Sequence, residues 1–125
     1  MEDCSKPAYK NLVVWQKSIQ FACKIIGLID AIESNRKHYR LIEQLESACA
    51  SVATNIAEGK GRYSKKEFSH YLMISRGSLF ETMTLLEIMK LKNWITETDY
   101  KMIEQQSHKI GKMINALNRS LKSTQ

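Results

Sequence analysis

The sequence predicts an all-α protein, an up-down-up-down antiparallel four-helix bundle. Three observations predict it. Apolar residues recur at steps of three and four through four long segments, which puts them on one face of each helix. Short connections near Glu33 to His38, Gly59 to Tyr63 and Asn93 to Ile95 separate these segments, and such connections make consecutive helices antiparallel neighbours. A lone proline, Pro7, and five glycines leave little material for a loop-rich fold.

The first helix is predicted over about 12–32. Val14, Ser18, Phe21, Ile25, Leu28 and Ile32 form one seam, and Trp15, Ile19, Ala22, Ile26 and Ile29 form a second directly beside it. Two adjacent seams make an apolar face wider than one four-helix core covers, so the second is expected to be an oligomer interface.

The second helix, 39–58, turns Leu41, Leu45, Ala48, Val52 and Ile56 inward. Small residues from Ala48 to Thr54 let a neighbouring helix approach closely, and Gly59 is expected to stop the helix. The third helix, 64–92, begins at Ser64, whose oxygen can accept from a free first-turn amide while Glu67 reaches back. Its inward residues are Phe68, Leu72, Ser75, Leu79, Met83 and Leu86. Gly77 costs about 1 kcal/mol relative to alanine inside a helix, so it is expected to admit a close neighbour. Thr96 and Asp99 repeat the start signal for the fourth helix, 97–121, which carries Tyr100, Ile103, Ile110, Ile114, Leu117 and Leu121.

The chain's 125 residues can bury one core and are too few for two ordinary ones, so residues 1–125 read as a single domain. The polar ends, Met1 to Lys6 and Ser123 to Gln125, are expected to fray. Gln16, Lys17, Gln20 and Lys24 cut the first apolar stretch, so neither a signal peptide nor a membrane span is expected, and the protein is expected in the cytoplasm. Cys4, Cys23 and Cys49 lack the short spacing of metal or redox motifs and read as reduced thiols, with Cys23 and Cys49 as small core residues. His38, His70 and His108 lie far apart, and no metal site or cofactor is expected.

The formal net charge of +6 is unevenly placed. Lys60, Arg62, Lys65 and Lys66 put four positive charges into seven residues with no acid among them. In the predicted topology Arg119 and Lys122 reach the same end of the bundle, Lys112 lies further along that helix, and no acid occurs from Gln105 to Gln125. Concentrated positive charge binds polyanions by releasing their condensed counterions, so these seven residues are the candidate nucleic-acid contacts. Tyr63 can stack on a base or cap the core.

A second polar set, Gln44, Glu46, Asn55, Glu58, Arg76 and Glu81, reads as a structural network that fixes helix register or subunit packing. Antiparallel pairing about the second turn brings Arg76 level with Glu46 and Ser47, and Glu81 level with Leu41 and Ile42, so Arg76 is expected to pair with Glu46 or with an acid of another subunit. Asn55 and Glu58 then lie too far from Glu81 for one compact active site. The Gly59-Lys60-Gly61-Arg62 run lacks the spacing and the Lys-Ser/Thr ending of a phosphate-binding loop. No catalytic residue is assigned and no enzyme is expected; an enzyme built on Glu58, Arg62 and Arg76 is the weakest reading.

Leu12-Val13-Val14-Trp15-Gln16-Lys17, Gln44-Leu45, the Asn55 to Arg62 corner and Arg76-Gly77-Ser78 with Glu81 resemble the 23S rRNA intervening-sequence protein family over nearly the whole chain. These are small bacterial four-helix-bundle proteins. Where the family carries two arginines after the Gln-Leu or Gln-Ile pair this chain has Glu46 and Ser47, and Ala53 stands where many members have proline. The resemblance implies a homopentamer, and a similarity to accessory proteins of diversity-generating retroelements, which bind nucleic acid and a reverse transcriptase. The function expected is therefore a non-enzymatic oligomeric bundle that binds RNA or DNA through its basic end. The alternative is a protein-protein scaffold or accessory subunit with no direct nucleic-acid role.

Overall fold

Helix α1, Val13–Asp30, is entered from a short 3₁₀ turn, Ala8–Asn11, and is followed by α2, Tyr39–Lys60, α3, Lys65–Leu91, and α4, Glu97–Ser123. This is a computed structural model that describes residues 7–32 and 38–123. Cys4, the connection 33–37 and the chain ends 1–6 and 124–125 lie outside the described residues. α2 packs between α1 and α3, and α4 closes the bundle against α3 and α1. The architecture is an all-α four-helix bundle.

Local chemistry explains the boundaries. Ser64 Oγ accepts the Glu67 amide at 3.0 Å and Thr96 Oγ1 accepts the Asp99 amide at 3.1 Å, so each hydroxyl satisfies a first-turn donor that has no partner within its helix. At the end of α3, Asn93 adopts φ 63°, and the amides of Asn93 and Trp94 turn back to Lys90 O and Met89 O at 2.9 Å each. Asparagine is among the few non-glycine residues that enter this left-handed region readily, and here it closes the helix.

The core is drawn from every helix. Phe21 and Ile25, Leu45, Val52 and Ile56, Leu72, Leu79, Leu86 and Met89, and Ile103, Ile110 and Ile114 are almost completely buried. Each such side chain contributes about 1.5–3 kcal/mol relative to exposure. Leu41 is only half-buried, and Ile42 takes its place while Cys49, Ala53 and Gly59 widen the inward face of α2. That width follows from position, because α2 packs against α1 and makes with α3 the most extensive helix pairing of the bundle.

Gly59 does not stop α2, which runs on to Lys60 and is capped at Gly61. A Cβ on Gly59 would lie 2.7 Å from Tyr71 Cβ and 2.9 Å from Phe68 Cδ1. The glycine therefore lets α2 and α3 approach closely at this point. Gly77 is the converse: beyond its chain neighbours and the nearby backbone of its own helix, no atom of the described residues comes within 4 Å of a Cβ placed there.

The second seam of α1 also divides. Ala22 and Ile29 are buried in the chain's own core, Trp15 and Ile26 pack half-buried against it, and Ile19 remains 38% exposed. An α-helix drifts about 20° per heptad relative to a strict seven-residue repeat, so two neighbouring seams merge into one broad inward face. The larger apolar surplus lies on α3, where Ile74, Phe80, Ile88 and Leu91 are exposed. Cys49 is a core residue as expected, but Cys23 is exposed.

Candidate nucleic-acid interface

The basic end is built by the α2–α3 turn and the last turns of α4. Because α2 continues through Lys60 and α3 starts at Lys65, the four cations at 60, 62, 65 and 66 fall on two helix ends and the few residues joining them. All four are exposed, as are Arg119 and Lys122. A hydrogen bond between Ser69 Oγ and Asn118 Oδ1 ties α3 to α4 beside Arg119, which fixes the end of α4 to this tip. Tyr63 is fully exposed among these charges and does not cap the core.

Arg62 is held by two side chains. Its Nη2 donates to Glu58 Oε2 at 3.1 Å and to the Tyr71 hydroxyl at 2.6 Å, and the guanidinium lies 4.9 Å from the Tyr71 ring centroid. Lys60 leans over Phe68 at 5.8 Å. An open cavity of about 590 Å³, lined by Tyr9, Thr54, Ala57, Glu58, Gly61 and Arg62, adjoins the tip where the 3₁₀ turn meets α2. Lys112 stands apart from the other candidates, part-way along α4 in a groove against α3.

The polar set between α2 and α3 is only partly the one expected. Gln44 Nε2 donates to Glu81 Oε1 at 3.3 Å. One helical turn and more away, Ser51 Oγ and Ser78 Oγ lie 2.9 Å apart, and Asn55 Nδ2 donates to Ser51 O and Oγ at 2.8 Å each. Ser75 Oγ, fully buried, donates to Val52 O at 2.7 Å. Glu81 thus meets Gln44, two or three residues beyond the expected Leu41 and Ile42, because the helical residues Gly59 and Lys60 move the centre of the turn forward. Arg76 consequently does not meet Glu46. It sits on the flank of α3 that faces α4, with its guanidinium 5.1 Å from the Phe80 centroid, and no described carboxylate pairs with it. Glu46 contributes its backbone carbonyl to the Cys49 thiol at 3.4 Å. Glu58 and Arg62 adjoin each other, while Arg76 belongs to a different groove, so these three form no single cluster.

Sequence reasoning did not single out Tyr71, Ser69 or Asn118, and gave Ser78 no contact on α2. Their signal was weak: isolated polar residues at inward helical positions, legible only once the register was fixed. It also missed the ion and ring cluster near the α3–α4 turn, where Lys90 Nζ lies 3.0 Å from Glu87 Oε2 and 4.3 Å from the Tyr100 centroid. Hydrogen bonds from Lys90 and Tyr100 hold the Glu87 carboxyl below its ordinary range, while burial, aided by Glu87, pushes the Tyr100 phenol upward. Among the described residues no three His, Cys, Asp or Glu side chains are grouped to hold a metal ion, and no helix is long and apolar enough to cross a membrane.

The family model described as 23S rRNA-intervening sequence protein matches residues 10–116. No curated protein matches the chain. Among solved structures the chain is similar to a protein of unknown function from the S23 ribosomal protein family of Bacteroides thetaiotaomicron VPI-5482, at 27% identity and a TM-score of 0.78, over 85% of this chain and 98% of that one. The chain belongs to the 23S rRNA-intervening sequence protein family.

Proposed function

We propose that this member of the 23S rRNA-intervening sequence protein family is a non-enzymatic, cytoplasmic, oligomeric bundle that binds RNA or DNA through its basic end. The observation that carries the reading is the clustering of Lys60, Arg62, Lys65, Lys66, Arg119 and Lys122, all exposed, around one end with the exposed Tyr63 among them. Cations on such a surface displace counterions condensed on a phosphate backbone, which supplies affinity without base recognition. Tyr63 adds a stacking surface that is indifferent to sequence.

Oligomerisation strengthens this. In the homopentamer that the family resemblance implies, parallel subunits repeat each tip around one rim, and phosphate contacts that are weak singly act together. Ile19 on α1, and Ile74 and Ile88 either side of the open Gly77 on α3, are exposed apolar positions suited to subunit contacts. The family resemblance also implies a similarity to accessory proteins of diversity-generating retroelements, and on this reading a nucleic acid and a reverse transcriptase are the proposed partners.

The exposed apolar residues of α3 favour a second reading, a protein-protein scaffold whose charge serves solubility. Titration of labelled RNA and DNA with the protein at several salt concentrations separates the two. Nucleic-acid binding predicts affinity that falls steeply between low and moderate salt; binding confined to very low salt supports the scaffold.

A further inference from the structure

We propose that the groove between α3 and α4 binds a single nucleic-acid strand, with Phe80 as the platform for a base and Arg76 and Lys112 as the phosphate contacts. The proposal rests on the nucleic-acid reading above and extends it from the tip to the flank of the bundle. The groove encloses a cavity of about 300 Å³. Ser69 and Asn118 join the two helices at its tip end, and Glu87 and Tyr100 join them at the other, so α3 and α4 run side by side along its length. Gly111, without a side chain, leaves the floor open beside Leu79.

The walls carry complementary chemistry. Arg76 is half-buried and no described carboxylate pairs with it, although an arginine fork suits a phosphate well. Lys112 and His108 stand exposed on the opposite wall, and among the described residues Glu104 is the one acid lining the cavity. Phe80 is 56% exposed beside the Arg76 guanidinium, so a planar cation and an aromatic ring present stacking surfaces at the same place. Bases in a duplex are already stacked on each other, whereas a single strand can turn a base onto such a platform. Arg119 lies seven residues beyond Lys112 on α4, roughly 10 Å at the helical rise, so the groove continues into the basic tip.

The test is fluorescence anisotropy with a labelled single strand and a duplex of equal length, using Phe80→Ala, Arg76→Gln and Lys112→Gln proteins whose helicity and assembly match wild type. Phe80→Ala is expected to weaken single-strand binding about ten-fold at every salt concentration, because stacking is not a counterion effect. Arg76→Gln and Lys112→Gln are each expected to reduce the slope of log affinity against log salt by about 0.7. A strand bearing iodouracil, irradiated with wild-type protein, should cross-link to the peptide that contains Phe80, which keeps the test valid if a variant misassembles. Wild-type binding that is indifferent to all three substitutions, or a polyglutamate peptide that competes as well as an unlabelled strand, overturns the groove and leaves the tip standing. Absence of any wild-type binding overturns both.

Discussion

Gly59 and Tyr71 mark a close approach of α2 to α3: a side-chain carbon at position 59 would sit 2.7 Å from Tyr71 Cβ, inside the contact distance of two carbon atoms. Tyr71 is held there because its hydroxyl accepts from Arg62 at 2.6 Å. Close helix packing and the anchoring of one basic residue are thus a single arrangement.

Gly59→Ala must therefore push α2 and α3 apart, and overpacking of this kind costs about 1–3 kcal/mol. Gly77→Ala meets open space within the chain and removes a helix-interior glycine, which stabilises by up to about 1 kcal/mol. Urea unfolding of the two variants should move the midpoint in opposite directions. A loss in Gly77→Ala that appears together with a smaller assembly would place another subunit against that position.

Arg76→Met should cost no more than about 1 kcal/mol, since the loss is an arginine-on-ring contact at a partly exposed site. Lys101→Met removes an exposed pair, Lys101 Nζ to Glu97 Oε1 at 3.6 Å, and such pairs contribute little. Melting temperatures of the two variants should be nearly equal. A far larger loss for Arg76 would mean that another subunit supplies a buried partner charge.

The sequence made the four helices legible because apolar periodicity, the Ser64 and Thr96 caps and short connections all agree. It was less informative about register. Whether Gly59 ends a helix or lets two helices touch is a question about Tyr71 and Phe68 on another element, and one residue pattern serves both answers. The same holds for α1, where Ala22 and Ile29 could face the core or a second copy until the direction of the whole helix was known. The basic tip was legible because four cations in seven residues need no tertiary information. The α3–α4 groove was not, since Arg76, Phe80, His108 and Lys112 come together only through helix pairing.

Cys23 and Cys49 should differ in reactivity. Burial pushes the Cys49 thiol up to about 11 from an ordinary value of 9.0, so it stays protonated and shielded, while Cys23 is exposed. In a Cys4→Ser background a maleimide should label Cys23 rapidly and Cys49 only on unfolding. The folded state keeps the Cys49 proton where the unfolded state releases it, so this group's contribution to stability is full below about pH 9 and is lost as pH rises to about 11. Replacing Cys49 with alanine should flatten that part of the stability profile; an unchanged profile would contradict the assignment.

Ile19→Asp and Ile88→Asp place a charge at exposed apolar positions, where the fold of one subunit tolerates it but a dry interface does not. Light scattering should show smaller species with helical content retained. A wild-type monomer would end the oligomer proposal.

If the basic end carries nucleic-acid affinity, Lys60, Lys65 and Lys66 are the residues whose loss must show it. All three are exposed, whereas Arg62 is tied to Glu58 and Tyr71 and is left in place. Each phosphate neutralised contributes about 0.9 to the slope of log affinity against log salt on duplex DNA and about 0.7 on single strands. The measurement is fluorescence anisotropy of labelled RNA and DNA over a salt series, comparing wild type with the Lys60→Gln, Lys65→Gln, Lys66→Gln triple variant. The variant should be folded and fully assembled, with weaker binding and a flatter salt dependence. Wild-type affinity with an unchanged slope would contradict that role for the basic end.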